Sequence, residues 1–500
     1  MTIGRPGSPV LRTELIPRTH QRLVLILIGR LVQFLLVLAT MRVATTLLTP
    51  EEIGRMSLVM ATTVFFAALL VNPVGMFVNR RLHTWQASGH AWYYLNRYWG
   101  YLVLVAVIAA ISVTVVNESG TIGFQMAIVW LLVLVCGSLL FNTANQTVIP
   151  SLNLLGYSGW FVSLTVATVA AGLACATLLA WLLAPTAEYW LSGLLLGQIA
   201  LAVVGGLVLY ARLKESGIAS SPRSFQLGQL SGLYGYAWPI SIAIALSWAQ
   251  YQSYRYIMED ALGVAPLGLF VSGYWIGLGL IAGIESVLAA YFQPRFYRDI
   301  STDDPVRHTK AWEQYATAVV PALLLTMIAV VALAPELTKI LLGPAFQAAS
   351  VFVTWGALAE TARVLTGTYS LFAHARMQTR RLLLPHLSGA ALSIALCWWL
   401  IPVIGPGGAG LGLAISGFVV VIAMHTLLDI KITSSTPLRQ VLGAVALGGG
   451  LWAIVAAGRR LAAGMPEWSV IAGVVALGSV VYVGLQYMLL REHLKDSETR

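Results

Sequence analysis

Arg255 lies in a stretch, YGYAWPISIAIALSWAQYQSYRYIME (234–259), that is otherwise largely apolar. At about 1.5 Å per helical residue, that stretch is long enough to cross a bilayer. Tyr251, Trp248 and Ser241 share its helical stripe, with Gln252 beside them. Lipid cannot solvate such a stripe, so it must face protein or water. Three more arginines, Arg30, Arg42 and Arg363, sit inside apolar runs, and no lysine does. A guanidinium matches paired phosphate oxygens bidentately, whereas an ammonium is a point charge. The bias toward arginine points to an anion that carries phosphate groups.

Two carboxylates share these runs. A charge near the bilayer centre costs ~2.5–3.5 kcal/mol on insertion scales, so depth decides which charges need a reason. Glu360 is almost at the middle of the run 346–372, with Arg363 one turn further along the same face. An i,i+3 pair partly neutralises itself. It could lock this helix to a neighbour, or pair a proton or sodium site (Glu360) with a phosphate contact (Arg363). Glu285, on the cytoplasmic side of the middle of the run 266–292, suits proton coupling and equally suits a hydrogen bond to a neighbouring helix. Arg42 and Arg255 lie one to two turns from the outer ends of their runs, where they could snorkel or line a cationic cavity. Arg30 is nearer the cytoplasmic end, where it could meet an entering headgroup or snorkel.

Asn72, Gly75 and Asn79 form one stripe beside Pro73, a kink position, and Asn142 and Asn145 form another. Contacts between helices and contacts to sugar hydroxyls both fit these stripes. Trp85, Trp92, Trp99, Trp312 and Trp468 stand near run ends as an interfacial belt. Trp248 and Tyr251 are too deep for that, and sugar stacking is a use for them.

The elements that must position these residues are membrane spans. The chain is 58% hydrophobic and 10% charged, with a mean hydropathy of +0.80, whereas a soluble domain is about a quarter charged. The apolar runs are continuous, without the alternation of a β-barrel. Fourteen spans are expected: 23–48, 55–79, 91–116, 121–145, 157–184, 187–211, 233–258, 266–292, 312–334, 346–372, 381–404, 408–430, 438–458 and 467–490. The run after Arg22 has no small-residue cleavage pattern and reads as a retained first span. Cys136, Cys175 and Cys397 all lie in apolar runs and read as packing residues, with no metal site expected.

Basic residues set the orientation. With the N-terminus inside, the tail (Arg5, Arg12, Arg18, Arg22), the inside loops and the last ten residues hold most of the thirty Lys and Arg. The other side holds Arg55, Lys339, Arg459 and Arg460. This satisfies the positive-inside rule and places both termini in the cytoplasm. It also accounts for the net charge of +10. Basic residues dispersed over short loops do not form a nucleic-acid surface. The cytoplasmic loops 212–232 and 293–311 contain no Gly-rich phosphate loop and no His/Cys cluster, which weighs against an ATPase or a glycosyltransferase.

The segments TTLLTPEEIGRMSLVM (45–60) and MEDALGVAPLGLFVSG (258–273) each end a span in a short acidic, Pro-containing turn and open the next on glycine. Aligning Gly54 with Gly268 gives an offset of 214, which carries Arg42 to position 256, beside Arg255. Six spans is an even number, so the two halves share an orientation, a parallel repeat about an axis along the membrane normal. The expected fold is all-α and polytopic: a tail 1–22, a six-helix lobe 23–211, a linker 212–232, a second six-helix lobe 233–430, two further spans within 438–490, and a tail 491–500.

Three stretches carry a family resemblance: GRLVQFLLVLATMRVATTLLTPEEIGRMSLVMA (29–61), RYIMEDALGVAPLGLFVSGYW (255–275), and LAPELTKILLGPAFQAASVFVTWGAL (333–358) with LIPVIGPGGAGLGLAISG (400–417). They resemble the Wzx-type polysaccharide flippases of the multidrug/oligosaccharidyl-lipid/polysaccharide (MOP) exporter superfamily. Two extra spans depart from the commonest twelve-helix form and are similar to the superfamily's peptidoglycan-precursor flippases. The resemblance implies a bacterial inner-membrane flippase, not an enzyme. It would move an undecaprenyl-diphosphate-linked oligosaccharide to the periplasmic leaflet by alternating access, for exopolysaccharide or O-antigen assembly. No cofactor is implied beyond H+ or Na+ coupling through Glu285 or Glu360, and a polysaccharide polymerase or export machinery would be the partner. A cation-coupled drug exporter of the same superfamily would prefer an acidic, aromatic cavity. A polymerase or ligase would usually carry a sizeable periplasmic loop, which this chain lacks.

Overall fold

The computed structural model describes residues 15–120, 122–215, 241–300, 304–376, 378–428, 436–462 and 464–498, and no strand occurs among them. The helices are α1 (Leu15–Leu47), α2 (Pro50–Phe66), α3 (Asn72–Ala87), α4 (Ala91–Glu118), α5 (Ile128–Leu154), α6 (Ser158–Leu182), α7 (Ala187–Glu215), α8 (241–252) and α9 (Tyr254–Leu262). Then follow α10 (Val264–Asp299), α11 (Pro305–Ala332), α12 (Ala334–Leu341), α13 (Ser350–Ala375), α14 (Leu383–Ile404), α15 (Gly407–Leu427), α16 (Thr436–Leu461) and α17 (Glu467–Glu498).

Twelve helices among the described residues are long and apolar enough to cross a membrane. The chain is a multi-pass, all-helical membrane protein. The difference from fourteen arises at two places. Expected span seven begins in residues 233–240, which lie outside the described residues, as do 1–14, 216–232, 429–435 and the last two residues of the C-terminal tail. Expected span ten is α13, long enough at 26 residues but too polar by composition, because Glu360, Arg363 and several threonines interrupt its apolar run.

Local chemistry explains the breaks. Thr49 accepts from the Glu52 backbone N–H, Pro50 takes the first helical position, and Glu51 and Glu52 sit in the positive first turn of α2. Arg55 returns to both glutamates at 2.6 and 2.9 Å. A π-helical turn, Ala67–Val71, joins α2 to α3 just before Pro73. Proline lacks the N–H and its ring crowds the preceding turn, and the wider turn accommodates both. Gly263 separates α9 from α10 at φ +87, a conformation glycine adopts without strain.

The chain divides into two compact units. The first comprises 1–40, 66–118 and 126–239, and the second 41–65, 119–125 and 240–500. In the first, α6 and α7 meet backbone to backbone: a Cβ on Gly197 would lie 2.4 Å from the Gly172 nitrogen. In the second, α10 and α13 cross the same way. A Cβ would lie 2.1 Å from the Ala349 carbonyl oxygen at Gly273, 2.3 Å from that of Val353 at Gly277, and 2.1 Å from that of Tyr274 at Gly356.

Within the second unit the two glycines aligned by the 214-residue offset face one another. A Cβ on Gly54 would lie 2.0 Å from the Val264 carbonyl oxygen, and one on Gly268 would lie 1.7 Å from that of Pro50. Pro50 and Val264 are themselves 214 apart, so the contact is reciprocal. Two more backbone donors lie nearby: the Gly343 N–H donates to Thr45 at 2.9 Å, and the Gly123 N–H donates to Glu259, 214 positions after Thr45, although the two glycines are themselves 220 apart.

α16 and α17 pack on α11. Leu325, Ala329, Ala332 and Leu333 bury against Leu451, Val455 and Val474. Gln486 donates to the Ala322 carbonyl at 2.8 Å. Arg459 grips the buried Glu336 of α12 at 2.7 and 2.6 Å. Arg459→Ala is expected to lower stability by ~1–3 kcal/mol, because Glu336 would keep its burial and lose both donors. The lower end applies, since Arg459 is about one-third exposed. Thermal unfolding in detergent checks this, with Glu336→Gln/Arg459→Ala expected to recover part of the loss.

Candidate functional site

The glycine-mediated crossing of α10 and α13 brings three charges together. Glu360 is 3% exposed, and one guanidinium takes both its oxygens: Arg363 Nε reaches Oε2 at 2.8 Å and Nη2 reaches Oε1 at 2.6 Å. Glu285 of α10 approaches the same Nη2 at 3.7 Å. That distance is a charge contact but not a hydrogen bond. The Arg363 and Glu285 side chains are 42% and 32% exposed, so the wet edge of the cluster is the Glu285–Arg363 edge. Two carboxylates against one guanidinium leave a formal charge of −1.

Aromatic hydroxyls border this cluster. Tyr251 of α8 lies in the field of Arg363 and Glu360, and its hydroxyl is buried without a partner. Tyr274 of α10 is buried and sits in the field of Glu360, Tyr251 and Arg255. Arg255 of α9 is 6% exposed, with its guanidinium 5.3 Å from the Tyr254 ring centroid and its Nε unpartnered. Among the described residues no carboxylate lies within 4 Å of Arg255. A buried cation without a counter-charge is costly, so a polar or anionic ligand there has a driving force.

Near Arg255, the Trp248 indole donates to the Ala61 carbonyl at 3.1 Å and packs edge-on against Phe65 at 4.8 Å. Gln252 Oε1 is buried without a partner. Gln250, on the α14 side of the same helix, is a buried polar residue that sequence reasoning missed. It is 1% exposed, both ends of its amide are unpartnered, and its carbonyl accepts from Ser393 of α14 at 2.7 Å. It falls off the stripe through Tyr251 and Trp248, because one residue turns the helix by about 100°. A second amide two residues before Gln252, in the same apolar run, was the available signal.

The other expected residues have different settings. Arg42 donates to the carbonyls of Lys339, at 3.1 Å, and Leu342, where α12 ends. A cation there satisfies orphan carbonyls and the negative end of the helix dipole. Arg30 is exposed, donates to Gln33 at 3.0 Å, and lies 5.5 Å from the Phe161 ring centroid. Asn72 is exposed at the π-turn. Asn142 accepts from Gln146 at 3.4 Å. Asn145 is buried and donates to the Gln198 carbonyl at 2.9 Å. Asn79 and Asn145 each keep a buried unpartnered Oδ1. All four asparagines and Arg30 belong to the first unit; Tyr251, Arg255, Glu285, Glu360 and Arg363 gather in the second. Among the described residues no group of three or more His, Cys, Asp or Glu could hold a metal ion.

No family model matches the chain, and neither does any curated protein. Solved structures do match it. The lipid II flippase MurJ, in an inward closed conformation, superposes with a TM-score of 0.68 at 11% identity, over 95% of this chain and 99% of that one. An inward-facing multidrug-resistance MATE family transporter of the MOP superfamily gives 0.55 at 16% identity, over 80% and 96%. The Vibrio cholerae MATE transporter VcmN gives 0.53 at 13% identity, over 84% and 98%. At such identities the likeness is one of fold. The fold is the one shared by the MurJ flippase and these MATE transporters.

Proposed function

We propose that this chain is a flippase for an undecaprenyl-diphosphate-linked oligosaccharide. It would move the substrate from the cytoplasmic to the periplasmic leaflet of a bacterial inner membrane and feed exopolysaccharide or O-antigen assembly. The observation that carries the reading is Arg255, a buried guanidinium with no carboxylate partner among the described residues, which shares the neighbourhood of Tyr274 with the Glu360–Arg363 pair. Together they offer a diphosphate two cations in one polar region. A buried hydroxyl and a buried amide oxygen without partners, on Tyr251 and Gln252, suit sugar or phosphate groups. Coverage also supports it: the lipid II flippase matches 95% of this chain, and the two MATE transporters match 80% and 84%.

The architecture that goes with this reading has fourteen spans, with α8–α9 as span seven and α13 as span ten, two six-helix lobes, and both termini in the cytoplasm. The reciprocal contacts of Gly54 with Val264 and of Gly268 with Pro50, at the 214-residue offset, support its internal two-fold. Arg42, which caps α12, would act at the periplasmic end by holding that helix in place rather than by presenting a free cation. A polymerase or export complex would take over the product.

A second reading has its own support. Glu285, Glu360, Tyr251 and Tyr274 make an acidic, aromatic neighbourhood that would suit a cation-coupled exporter of small cationic molecules. One experiment separates the two. In proteoliposomes loaded with a lipid-diphosphate oligosaccharide, Arg255→Ala is expected to lose at least about tenfold in translocation, and Arg255→Lys to recover part of it. Full activity of Arg255→Ala would overturn the anion-cavity reading. Export of organic cations without movement of the lipid-linked substrate would establish the second.

A further inference from the structure

The α3–α4 hairpin of the first unit joins exposed arginines to a run of touching aromatic rings. Arg80 and Arg81 of α3 and Arg97 of α4 are exposed, and no Asp or Glu occurs between Glu52 and Glu118. Other helix-end arginines have an acid beside them: Arg212 pairs with Glu215 at 2.9 Å and Arg295 with Asp299 at 3.9 Å. In the hairpin the rings lead from one guanidinium to the other. Arg81 lies over Phe77, 5.7 Å from its centroid, and Phe77 meets Trp85 at 6.4 Å. Trp85 stacks on Tyr94 across the hairpin at 4.5 Å. Tyr94 meets Tyr93 edge-on at 5.4 Å, and Arg97 lies over Tyr93 at 5.4 Å. A guanidinium held over a ring keeps its N–H donors at its edges, where phosphate oxygens can accept them.

A second observation says what kind of phosphate fits. Arg97, Leu104, Ile108, Ile111 and Val115 follow one another along α4 at steps of seven, four, three and four residues, which is one helical stripe. The four apolar side chains on it are 41–62% exposed. Leu104 to Val115 covers about 16 Å of helix, roughly half of a ~30 Å hydrocarbon core. A soluble phosphate would use the arginines and leave the stripe bare; a phospholipid uses both. We propose that the α3–α4 hairpin is a binding site for an anionic phospholipid, with its phosphate on Arg81 and Arg97 and one acyl chain along the Leu104–Val115 stripe. The site lies wholly in the first unit and is independent of the flippase reading. Arg80 adds to the attraction, and the Trp85–Tyr94 stack sits at the glycerol level, where amphipathic rings settle. A zwitterionic lipid carries its own ammonium beside the phosphate and gains less from three cations without acids.

Full-length protein in a nonionic detergent, titrated with phosphatidylglycerol and with phosphatidylcholine of the same acyl chains and read by native mass spectrometry, tests this. The wild-type protein is expected to prefer phosphatidylglycerol. Arg81→Ala and Arg97→Ala should each weaken its binding about fivefold, and the double variant roughly twenty-five-fold, with phosphatidylcholine unaffected. Tyr93→Leu keeps every charge and removes one stacking face, and a loss of about two- to fivefold is expected. Arg380→Ala removes an exposed arginine of the second unit and is the control, expected to leave the affinity unchanged.

Equal binding of the two lipids by the wild-type protein would overturn the proposal, and so would undiminished phosphatidylglycerol binding in the double variant. Equal losses in Arg81→Ala and Arg380→Ala would also overturn it, because a diffuse positive field rather than a built site would then account for the preference. Glycerol phosphate bound as tightly as phosphatidylglycerol would remove the acyl chain from the site. Farnesyl diphosphate retained at the hairpin in place of phosphatidylglycerol would assign the arginines to a transported headgroup instead. None of these outcomes touches the flippase reading, which the Arg255 variants test separately. The substituted side chains are exposed or half-buried, and matched melting temperatures for wild type and variants separate a lost site from a lost fold.

Discussion

Gly268→Ala is expected to destabilise the protein by ~1–3 kcal/mol or more, the range for inserting atoms into a packed contact. The added Cβ would lie 1.7 Å from the Pro50 carbonyl oxygen and 2.8 Å from the Gly54 nitrogen. Both are backbone atoms, so no side chain can turn away to make room. The start of α10 must part from the start of α2. Gly54→Ala should cost a similar amount, because its Cβ meets the Val264 carbonyl oxygen at 2.0 Å. Gly279→Ala, further along α10 with no neighbour within 4 Å, is the control and should be nearly neutral or slightly stabilising. Thermal unfolding in detergent decides the matter. Equal melting temperatures for Gly268→Ala and Gly279→Ala would show that the close approach of α2 and α10 does not hold in the protein.

Arg363→Ala is expected to have the largest effect at the polar cluster. Glu360 would remain buried after losing both donors, and breaking a buried pair by removing one partner costs ~3–5 kcal/mol when the survivor stays charged. The survivor can escape by taking up a proton. The loss should therefore be greatest at neutral and alkaline pH and smaller in acid, where a neutral Glu360 needs no counter-ion. The double variant Glu360→Gln/Arg363→Ala should recover much of the stability at neutral pH, since no uncompensated charge is left. Melting temperatures of the single and double variants across pH measure both effects. A single variant as stable as the wild-type protein at neutral pH would mean that Glu360 is not buried as an ion.

The stability tests and the transport tests separate two kinds of residue. Arg459, Gly268 and Gly54 hold helices together and should show in melting temperature first. Arg255 has little to lose in pairing, because among the described residues no carboxylate is paired with it. Its replacement should show in translocation before it shows in stability.

Much of the candidate site is legible in the amino-acid sequence, and the legible part is local. The Glu360–Arg363 pair follows from an i,i+3 spacing on one helix, which the 3.6-residue period alone places side by side. Arg255, Trp248 and Tyr251 stand out because a polar stripe in an apolar run is conspicuous. The offset of 214 is readable as a pair of acidic, Pro-containing turns. Composition and basic-residue placement are enough to recognise a polytopic helical protein. These properties depend on neighbours within one or two turns, or on sums over the chain.

Other features needed the tertiary structure, because they join residues far apart in sequence. Glu285 meets Arg363 across 78 positions because Gly273, Gly277 and Gly356 let α10 and α13 touch backbone to backbone. Arg42 caps α12, whose end lies some 300 residues away. Gln250 is enclosed against Gly389 of α14. The reciprocal seating of Gly54 on Val264 and Gly268 on Pro50 likewise exists only in three dimensions. A span's own residues specify that it is a helix and which stripe is polar. Which stripe meets which is settled by helix crossings, and those depend on where small residues on two distant segments permit close approach.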